Sequence, residues 1–308
     1  MNSGVKRALI TAGCFMVAFG VSFAFFHTYD GKNQYENGDF PVGEKTTFNA
    51  YMETIDGAYI GELDDEKFWG SGEFDFLSGE IYCGQWKDSK MSGTGTMVFD
   101  GVGTYTGEYS DSEREGQGTF TWDNGDQYAG GWQEDMMSGQ GTYTFANGDY
   151  AEGQFAGNRI QNGTLYTKNA KWECQREIED GELSSTISIK MTSGESYSGA
   201  IEDGKLNGQG TLVYKDGSTY IGNFENNQRS GQGCYSWESG AYYDGAWAND
   251  QMSGEGTYYY KAKDSAPKLE GSFVNGKPNG VCRYYETADT YYKTTWENGQ
   301  CVRVEEVK

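Results

Sequence analysis

The stretch that decides the fold is Tyr128-Ala-Gly130-Gly-Trp132, followed seven residues later by Gly139-Gln-Gly141-Thr-Tyr143. The same alternation of aromatic residue and glycine returns along the chain with a period of 23 residues. A fixed period of this size is the signature of a repeat array, and it divides the chain into eleven units. The units start at Tyr59, Tyr82, Tyr105, Tyr128, Ala151, Cys174, Tyr197, Tyr220 and Tyr243 and, after a three-residue insertion within Lys261–Lys268, at Leu269 and Tyr292.

The spacing within a unit predicts one β-hairpin when the first residue is counted as position zero. Positions zero, two and four share one face of a first strand, and positions 11, 13, 15 and 17 share one face of a second strand. Between the two strands lie pairs such as Asp203-Gly204, Asn226-Asn227 and Asn298-Gly299, which tolerate the positive φ of a tight turn. A second turn signal, for example Asn124-Gly125, closes the unit and joins it to the next.

The composition explains how such an array folds with few aliphatic residues. Leu, Ile, Val and Phe supply 46 of the 308 residues, whereas glycine alone supplies 46, beside 24 tyrosines and 8 tryptophans. A mostly helical protein and a large aliphatic core are therefore excluded. The glycines leave bare backbone on which a neighbouring Tyr or Trp ring can lie. The repeat glycines singled out on this basis are Gly84, Gly93, Gly107, Gly116, Gly130, Gly139, Gly222, Gly231, Gly245 and Gly254.

These residues resemble the MORN repeat (membrane occupation and recognition nexus), whose pattern is Tyr-x-Gly-x-Trp followed by Gly-x-Gly. The resemblance covers the chain from Tyr59 to about Lys308. The segments that match this pattern are Tyr82–Met97, Tyr105–Phe120, Tyr128–Tyr143, Tyr197–Leu212, Tyr220–Tyr235 and Tyr243–Tyr258. It implies an all-β fold, an elongated, open, twisted antiparallel sheet of about eleven stacked 23-residue hairpins with a groove on one face. It also implies tethering or self-association.

Two interior units, at Ala151 and Cys174, are degenerate over about residues 151–196. Arg176 stands where the first glycine belongs, and the later glycine pairs are replaced as well. A bend, a partner site and sequence drift all remain open for this stretch. The last unit has Arg303 and Glu305 in place of its second glycine pair, as expected of a polar terminal cap.

The first 28 residues predict a membrane anchor. Lys6 and Arg7 precede an uncharged apolar run of 19 residues, Ala8–Phe26, which can cross a hydrocarbon core of about 30 Å. We predict an uncleaved signal-anchor helix over 1–28, with a cleaved signal or a lipoprotein at Cys14 as alternatives. The positive-inside bias places the N-terminus in the cytoplasm and the repeats outside it. A polar linker at 29–58 then leads to the repeat domain at 59–308.

The part of the chain after the apolar run is strongly acidic. It contains all 46 acidic residues and 22 of the 24 basic ones, a net charge of −24 against −22 for the whole chain. Such a field repels nucleic acid and anionic lipid headgroups. We therefore expect no nucleic-acid partner and no binding of anionic lipid by the repeats, and we expect membrane contact through the N-terminal helix.

Residues that could carry chemistry are few. His27 is the only histidine and lies at the end of the apolar run, so serine and cysteine nucleophiles have no histidine base. No P-loop and no Cys-x-x-Cys motif occurs, and Asp123-Asn-Gly-Asp126 matches only part of a calcium loop. The six cysteines differ in repeat position and predict no disulfide framework. We predict no enzyme activity, catalytic residue, cofactor or metal, with a carboxylate-dependent hydrolase as the third hypothesis.

The sequence thus predicts a membrane-anchored, non-enzymatic repeat scaffold that binds a protein partner or a second copy of itself. The candidate interaction face consists of the aromatic residues at positions zero and four, namely Tyr82, Trp86, Tyr105, Tyr109, Tyr128, Trp132, Tyr220, Phe224, Tyr243 and Trp247. The alternative is an extracytoplasmic carbohydrate or cell-wall binding module, in which an exposed row of the same rings stacks on sugars.

Overall fold

The computed structural model describes residues 50–306, so the predicted signal anchor at 1–28 lies outside the described residues. Within 50–306 the chain forms 25 β-strands and no helix, which confirms the all-β prediction. In the same range no helix is long and apolar enough to span a bilayer. Residues 50–53 and 57–58, which were assigned to the linker, lie in the first two strands, where Met52 is buried opposite Tyr59.

The described residues form two compact units, 50–165 with 178–182 and 166–177 with 183–306. The first unit holds β1 (Ala50–Glu53), β2 (Gly57–Asp64), β3 (Lys67–Phe76), β4 (Ile81–Lys87), β5 (Lys90–Phe99), β6 (Gly103–Ser110), β7 (Glu113–Trp122), β8 (Gln127–Gln133), β9 (Met136–Thr144) and β10 (Tyr150–Ala156). Residues of β11 (Arg159–Lys168), β12 (Trp172–Glu179) and β13 (Glu182–Leu183) are divided between the units. The second unit holds β14 (Thr186–Met191), β15 (Ser196–Glu202), β16 (Lys205–Val213), β17 (Thr219–Glu225), β18 (Gln228–Ser236), β19 (Tyr242–Ala248), β20 (Gln251–Tyr259), β21 (Lys268–Val274), β22 (Lys277–Pro278), β23 (Gly280–Tyr285), β24 (Tyr291–Glu297) and β25 (Gln300–Glu306).

Neighbouring strands pair antiparallel in a register that brings glycines together. Gly84 on β4 pairs with Gly95 on β5, which pairs in turn with Gly107 on β6. In the first unit this glycine row is Gly61, Gly72, Gly84, Gly95, Gly107, Gly118, Gly130, Gly141 and Gly153. In the second unit it is Gly199, Gly210, Gly222, Gly233, Gly245, Gly256 and Gly271.

A buried tyrosine lies across the glycine pairs. A Cβ atom at Gly95 would come within 2.5 Å of Tyr82 Cζ, so only glycine fits beneath the ring. The Tyr82 hydroxyl donates a hydrogen bond of 3.0 Å to the carbonyl oxygen of Gln85, three residues further on. The hydroxyls of Tyr59, Tyr105, Tyr128, Tyr197, Tyr220 and Tyr243 make the equivalent bond. The prediction that rings cover bare backbone is therefore confirmed.

The ten glycines singled out from the sequence have two different roles. Those at position two, such as Gly84, allow the ring and the facing strand to approach closely. Those at position 11 have positive φ, for example 65° at Gly93 and 61° at Gly231. They lie at β-bulges that shift the strand register. On the turn side of the bulge, position nine pairs with position four, as Met91 does with Trp86. The first group makes room for rings, and the second bends the strand.

The turns at positions six and seven follow the prediction. Asn226 and Asn227 have φ of 50° and 71°, which places both in the left-handed region. The side chain at position seven also reaches the previous repeat, since Asn227 Oδ1 accepts the Leu206 backbone N–H at 2.7 Å. Asp135 Oδ1 accepts the Arg114 N–H in the same way at 3.0 Å. Each of these turns therefore caps the hairpin before it.

The boundary between the two units falls at residues 165–183, within the degenerate stretch at 151–196. The strands there are irregular, because β13 has only two residues and β12 pairs directly with β14. Arg176 stands at the place of the missing glycine, and its Nε donates to the Ser184 carbonyl oxygen at 2.5 Å. A glycine row therefore cannot continue through this repeat.

Candidate interaction surface

The ten aromatic residues predicted to form the interaction face lie in the interior. Exposure is 0% for Tyr82, Tyr105, Tyr128, Tyr220 and Tyr243 and 4–6% for Trp86, Tyr109, Trp132, Phe224 and Trp247. The cause is the glycine row, which lets each position-zero ring lie on the sheet while the position-four ring packs across it. Tyr82 and Trp86 meet edge to face with their centroids 5.0 Å apart. As a correction to the sequence interpretation, these rings form the core and are not an exposed platform for sugars.

The polar atoms of the buried rings are mostly paired with backbone. Trp132 Nε1 donates to the Gly118 carbonyl oxygen at 3.1 Å, and Trp247 Nε1 donates to the Gly233 carbonyl oxygen at 2.9 Å. The buried hydroxyl of Tyr109 has no hydrogen-bond partner within residues 50–306. Burial raises the pKa of Tyr109 well above its usual value. The paired tryptophans have a fixed orientation, whereas Tyr109 carries an unsatisfied group.

Positions 15 and 17 carry a further set of rings. In the first unit five of them follow one another at centroid distances of 4.6 to 5.6 Å. This series, called the first ladder, is Phe99, Phe120, Trp122, Tyr143 and Phe145. Phe120 and Tyr143 are buried, whereas the three position-17 rings are partly exposed. The exposed margin of the aromatic face therefore lies at position 17.

The second unit repeats this arrangement with different residues. The second ladder is Tyr214, Tyr235, Trp237, Tyr258, Tyr260 and Tyr284, with centroid distances of 4.6 to 6.0 Å. All six rings are at least partly exposed, and Tyr260 is 42% exposed. In the two degenerate repeats position 17 is Lys168 or Met191, so neither supplies a ring. Each unit thus has its own ladder.

An arginine lies beside each ladder. Arg114 Cζ is 4.5 Å from the ring centroid of Trp132. Its Nε donates to Asp135 Oδ1 at 2.9 Å, and its Nη2 donates to the Asp135 carbonyl oxygen at 2.7 Å. Arg229 in the second unit has the same surroundings, made by the tryptophan and aspartate at the corresponding positions. The aromatic face of an otherwise acidic chain therefore holds two fixed guanidinium groups.

The opposite face of the second unit carries a separate aromatic row. Tyr242, Tyr259, Lys268, Tyr285 and Tyr291 stand directly across from one another on β19, β20, β21, β23 and β24. We call this row the outer tyrosine strip. Lys268 Nζ is 5.8 Å from the Tyr259 ring centroid and 4.6 Å from that of Tyr285. All four tyrosines are partly exposed, so this row, unlike the predicted face, is accessible.

A shallow cavity of about 800 Å³ lies on the corresponding face of the first unit. Its floor is the bare backbone of the glycine row, and Gln117 and Gln140 stand at its sides. Ala129 has a small side chain between Thr119 and Thr142 and so leaves the space open. The lining is polar and has no aromatic ring, which sets it apart from the ladders.

Groups with chemical potential are sparse in residues 50–306. In this range no cluster of three or more His, Cys, Asp or Glu side chains could hold a metal ion, and five cysteines are free thiols. Cys83 Sγ donates to Glu73 Oε2 at 2.9 Å, and burial raises the pKa of both groups. A buried, protonated thiol is a poor nucleophile, so this pair is structural.

Fold and surface together define the class of protein, an array of β-hairpin repeats with an aromatic face. The model of the MORN repeat family matches the chain seven times, and the chain belongs to this family. The matches are residues 82–101, 105–127, 128–150, 197–219, 220–242, 243–265 and 270–286. A comparison with curated proteins finds no match to the chain. The resemblance drawn from the sequence is confirmed, and MORN repeats are interaction modules for proteins and membranes.

Sequence reasoning did not single out the partly exposed position-17 rings of the ladders, the two arginines or the outer tyrosine strip. The ladders had a signal, since an aromatic residue returns at position 17 in seven of eleven units. The arginines also had a signal in the sequence, because position nine is uncharged in every other unit. The tyrosines of the outer strip stand at repeat positions that carry tyrosine in only a few units, and only strand register brings them side by side.

Proposed function

We propose that the protein is a non-enzymatic interaction scaffold whose ladders bind segments of a partner protein. The observation that supports this proposal is the half-exposed row of rings at position 17, beside a tyrosine core that is fully buried. Large rings at the margin of the core are not required to form the hairpins. Because these rings are partly exposed to water, they offer a partner an apolar surface of defined shape.

The ladders also have the composition of a protein contact. Tryptophan, tyrosine and arginine are the residues that most often dominate binding energy, and each ladder places all three together or side by side. The rings of a ladder are already partly covered by the sheet, so they supply central anchor contacts within an interface whose standard size is roughly 800 Å² per partner.

Photocrosslinking of the full chain in cells tests this proposal. A photoreactive phenylalanine analogue at Phe99 or Tyr260 should capture a discrete partner, because both rings are accessible on a ladder. The control is the same analogue at Thr121, which is exposed on the other face of β7. A product of twice the chain mass would identify the partner as a second copy. Equal capture from Thr121, or none from either ladder, would contradict the proposal.

Substitution of the ladder tryptophans provides a second test. Trp122→Ala or Trp237→Ala should weaken the captured interaction by about tenfold or more, with Thr121→Ala as the neutral control. Both tryptophans are half-exposed, so the hairpins should persist, which circular dichroism would check.

We further propose that segment 1–28 anchors the scaffold in a membrane with the repeats on the extracytoplasmic side. The support is the uncharged run Ala8–Phe26 and the two basic residues before it. Protease added to intact cells should then degrade the repeats. Protection of the repeats until the cells are lysed would place them in the cytoplasm instead.

The outer tyrosine strip favours a second candidate function, the binding of a cell-wall glycan. Beside the strip runs a polar row that includes Asp244, Glu270 and Arg283. Sugar rings can pack their C–H faces on tyrosine while charged side chains bind the hydroxyls.

Retention on insoluble wall polysaccharide is the corresponding measurement. Retention should be lost in the double variant Tyr259→Ala/Tyr285→Ala. It should be kept in the control Thr121→Ala/Thr144→Ala, which alters the equivalent row of the first unit. Retention that is equal in all forms, or absent in the wild type, would remove this candidate.

A further inference from the structure

Position nine of the repeat is buried or partly buried in ten of the eleven units, Cys301 being exposed, and it is uncharged in nine. Its residues are Phe68, Met91, Arg114, Met137, Ile160, Leu183, Leu206, Arg229, Met252, Pro278 and Cys301. Met91 and Met137 are 3% and 2% exposed, so methionine fills this position without difficulty. The two arginines, one in each unit, therefore need an explanation beyond the formation of the hairpin.

Arg114 is held by one edge of its guanidinium group. The Nε and Nη2 atoms bind Asp135, through the carboxylate and the carbonyl oxygen respectively. The flat face lies 4.5 Å from the Trp132 centroid and 5.6 Å from that of Phe120. Nη1 has no hydrogen-bond partner within the described part of the chain, and the side chain is 15% exposed. One edge of the fork thus remains open toward the first ladder.

Arg229 repeats this geometry in the second unit. Its Nε donates to Asp250 Oδ1 at 3.1 Å, and its Nη2 donates to the Asp250 carbonyl oxygen at 2.6 Å. The guanidinium carbon is 4.4 Å from the Trp247 centroid and 5.3 Å from that of Tyr235, a ring of the second ladder. Its side chain is 17% exposed, and its Nη1 likewise has no partner among residues 50–306.

An open guanidinium edge in such a place recognises a carboxylate. The group is planar, always charged and able to donate two parallel N–H bonds, here from Nη1 and from the second hydrogen of Nη2. The surrounding rings exclude water, which strengthens a charged hydrogen bond. Charge complementarity adds selectivity, because a chain with a net charge of −22 repels acidic partners everywhere except at such fixed cations.

We propose that Arg114 and Arg229 are specificity-determining residues, each of which binds an Asp or Glu side chain of a peptide segment lying on the adjacent ladder. The segment would carry this acid between apolar residues, which cover the position-17 rings. This inference rests on the proposed function of the ladders as a protein-binding surface, and it adds the chemistry of the partner.

Selection from a random peptide library displayed on phage tests the proposal, with the full chain in detergent as bait. Wild type should enrich peptides in which Asp or Glu is flanked by apolar residues. The double variant Arg114→Met/Arg229→Met should lose this acidic preference, because it removes both guanidinium groups. Methionine is chosen because it occupies position nine in three other units. That precedent predicts an intact fold, which denaturant unfolding would verify.

A double-mutant cycle on one enriched peptide gives the decisive measurement. Changing its acid to the amide should weaken binding to wild type by about tenfold or more and leave binding to the matching Arg→Met variant unchanged. Arg114→Lys or Arg229→Lys should recover only part of the affinity, since lysine lacks the fork.

Two outcomes would overturn the proposal and are distinguishable. Enriched peptides without an acidic preference, or an amide effect that is equal in wild type and the Met variants, would refute the role of the arginines alone. Failure of the wild type to enrich any peptide would refute both the role of the arginines and the binding of protein segments by the ladders.

Discussion

The first and second ladders occupy the same repeat positions but differ in chemistry. The first has three phenylalanines, and its single tyrosine, Tyr143, donates its hydroxyl to Asp126 Oδ2 at 2.9 Å. The second has five tyrosines beside Trp237. We therefore expect the first ladder to select aliphatic side chains and the second to accept polar ones as well.

The frame beneath the ladders does not differ in this way. In both units a glycine row, position-zero tyrosines and position-11 bulges recur with the same contacts. Fold and recognition are thus assigned to different positions of one repeat. A change in the frame should affect both units alike, whereas a change in a ladder should affect binding only.

Substitutions in the glycine row should have the largest effect. A Cβ atom at Gly118 would lie 2.5 Å from Tyr105 Cζ, and one at Gly233 would lie 2.5 Å from Tyr220 Cζ. Gly118→Ala and Gly233→Ala should each lower the free energy of unfolding by about 3 kcal/mol or more in denaturant titrations. Gly217→Asn is the control, because that site is open and Asn tolerates its φ of 85°. Loss in only one unit would show that the frames are not equivalent.

High pH should be the next largest perturbation. Burial raises the pKa of the seven buried position-zero tyrosines, to about 12 for Tyr128 and Tyr220. The unfolded chain ionises near pH 10, so stability is complete below that pH and is lost as the pH rises toward the folded pKa. Each such tyrosine contributes a slope of about 1.4 kcal/mol per pH unit.

Circular dichroism and tyrosinate absorbance, followed together, measure this effect. Within each unit the two signals should change together above pH 10. The first unit holds four of these tyrosines and the second three, so we expect the first to unfold at the lower pH. Ionisation of all tyrosines near pH 10 without unfolding would contradict the buried core.

A pair of hydroxyl deletions should give smaller and opposite effects. Tyr105→Phe removes a hydrogen bond of 3.0 Å to the Glu108 carbonyl oxygen and should cost about 1 kcal/mol of unfolding free energy. Tyr109→Phe removes a buried hydroxyl that has no partner among residues 50–306, so it should leave stability unchanged or raise it. Tyr220→Phe should match Tyr105→Phe if the two frames are equivalent. Equal losses at Tyr105 and Tyr109 would show that the hydroxyl contacts are not decisive.

Removal of charge beside the arginines should have the smallest effect. In Asp135→Asn and Asp250→Asn the amide oxygen can still accept the backbone N–H, as Asn227 does in its own repeat. Each change should shift the free energy of unfolding by less than about 1 kcal/mol and reduce its salt dependence. A larger loss in one unit would show that one ion pair has a structural role that the other lacks.

The hairpins and turns could be predicted because their determinants are local. Alternation assigns positions to faces, and the left-handed preference of Asn, Asp and Gly places the turns, as at Asn226-Asn227. The close contact of Tyr82 with Gly84 was predictable for the same reason, since the two residues lie on one strand. Burial depth was not predictable. Positions zero and 17 lie on one face, yet Tyr105 is fully buried and Trp122 is partly exposed.

The outer tyrosine strip illustrates a second limit. Tyr259 and Lys268 are separated by the inserted loop, and only the pairing of β20 with β21 makes them direct neighbours. The same holds for Arg114 and Asp135, which are 21 residues apart and meet because one turn folds onto the preceding hairpin. Periodicity marks such residues as unusual, but it does not say what they contact.

The sequence by itself determined the repeat, its hairpin and the matching of glycine to tyrosine, because these follow from φ preferences and alternation over a few residues. The tertiary structure decided which rings form the core, which remain at the margin as ladders, and where the two arginines lie. These features arise from side chains of different hairpins that meet across strands, and their burial depends on how neighbouring repeats cover one another.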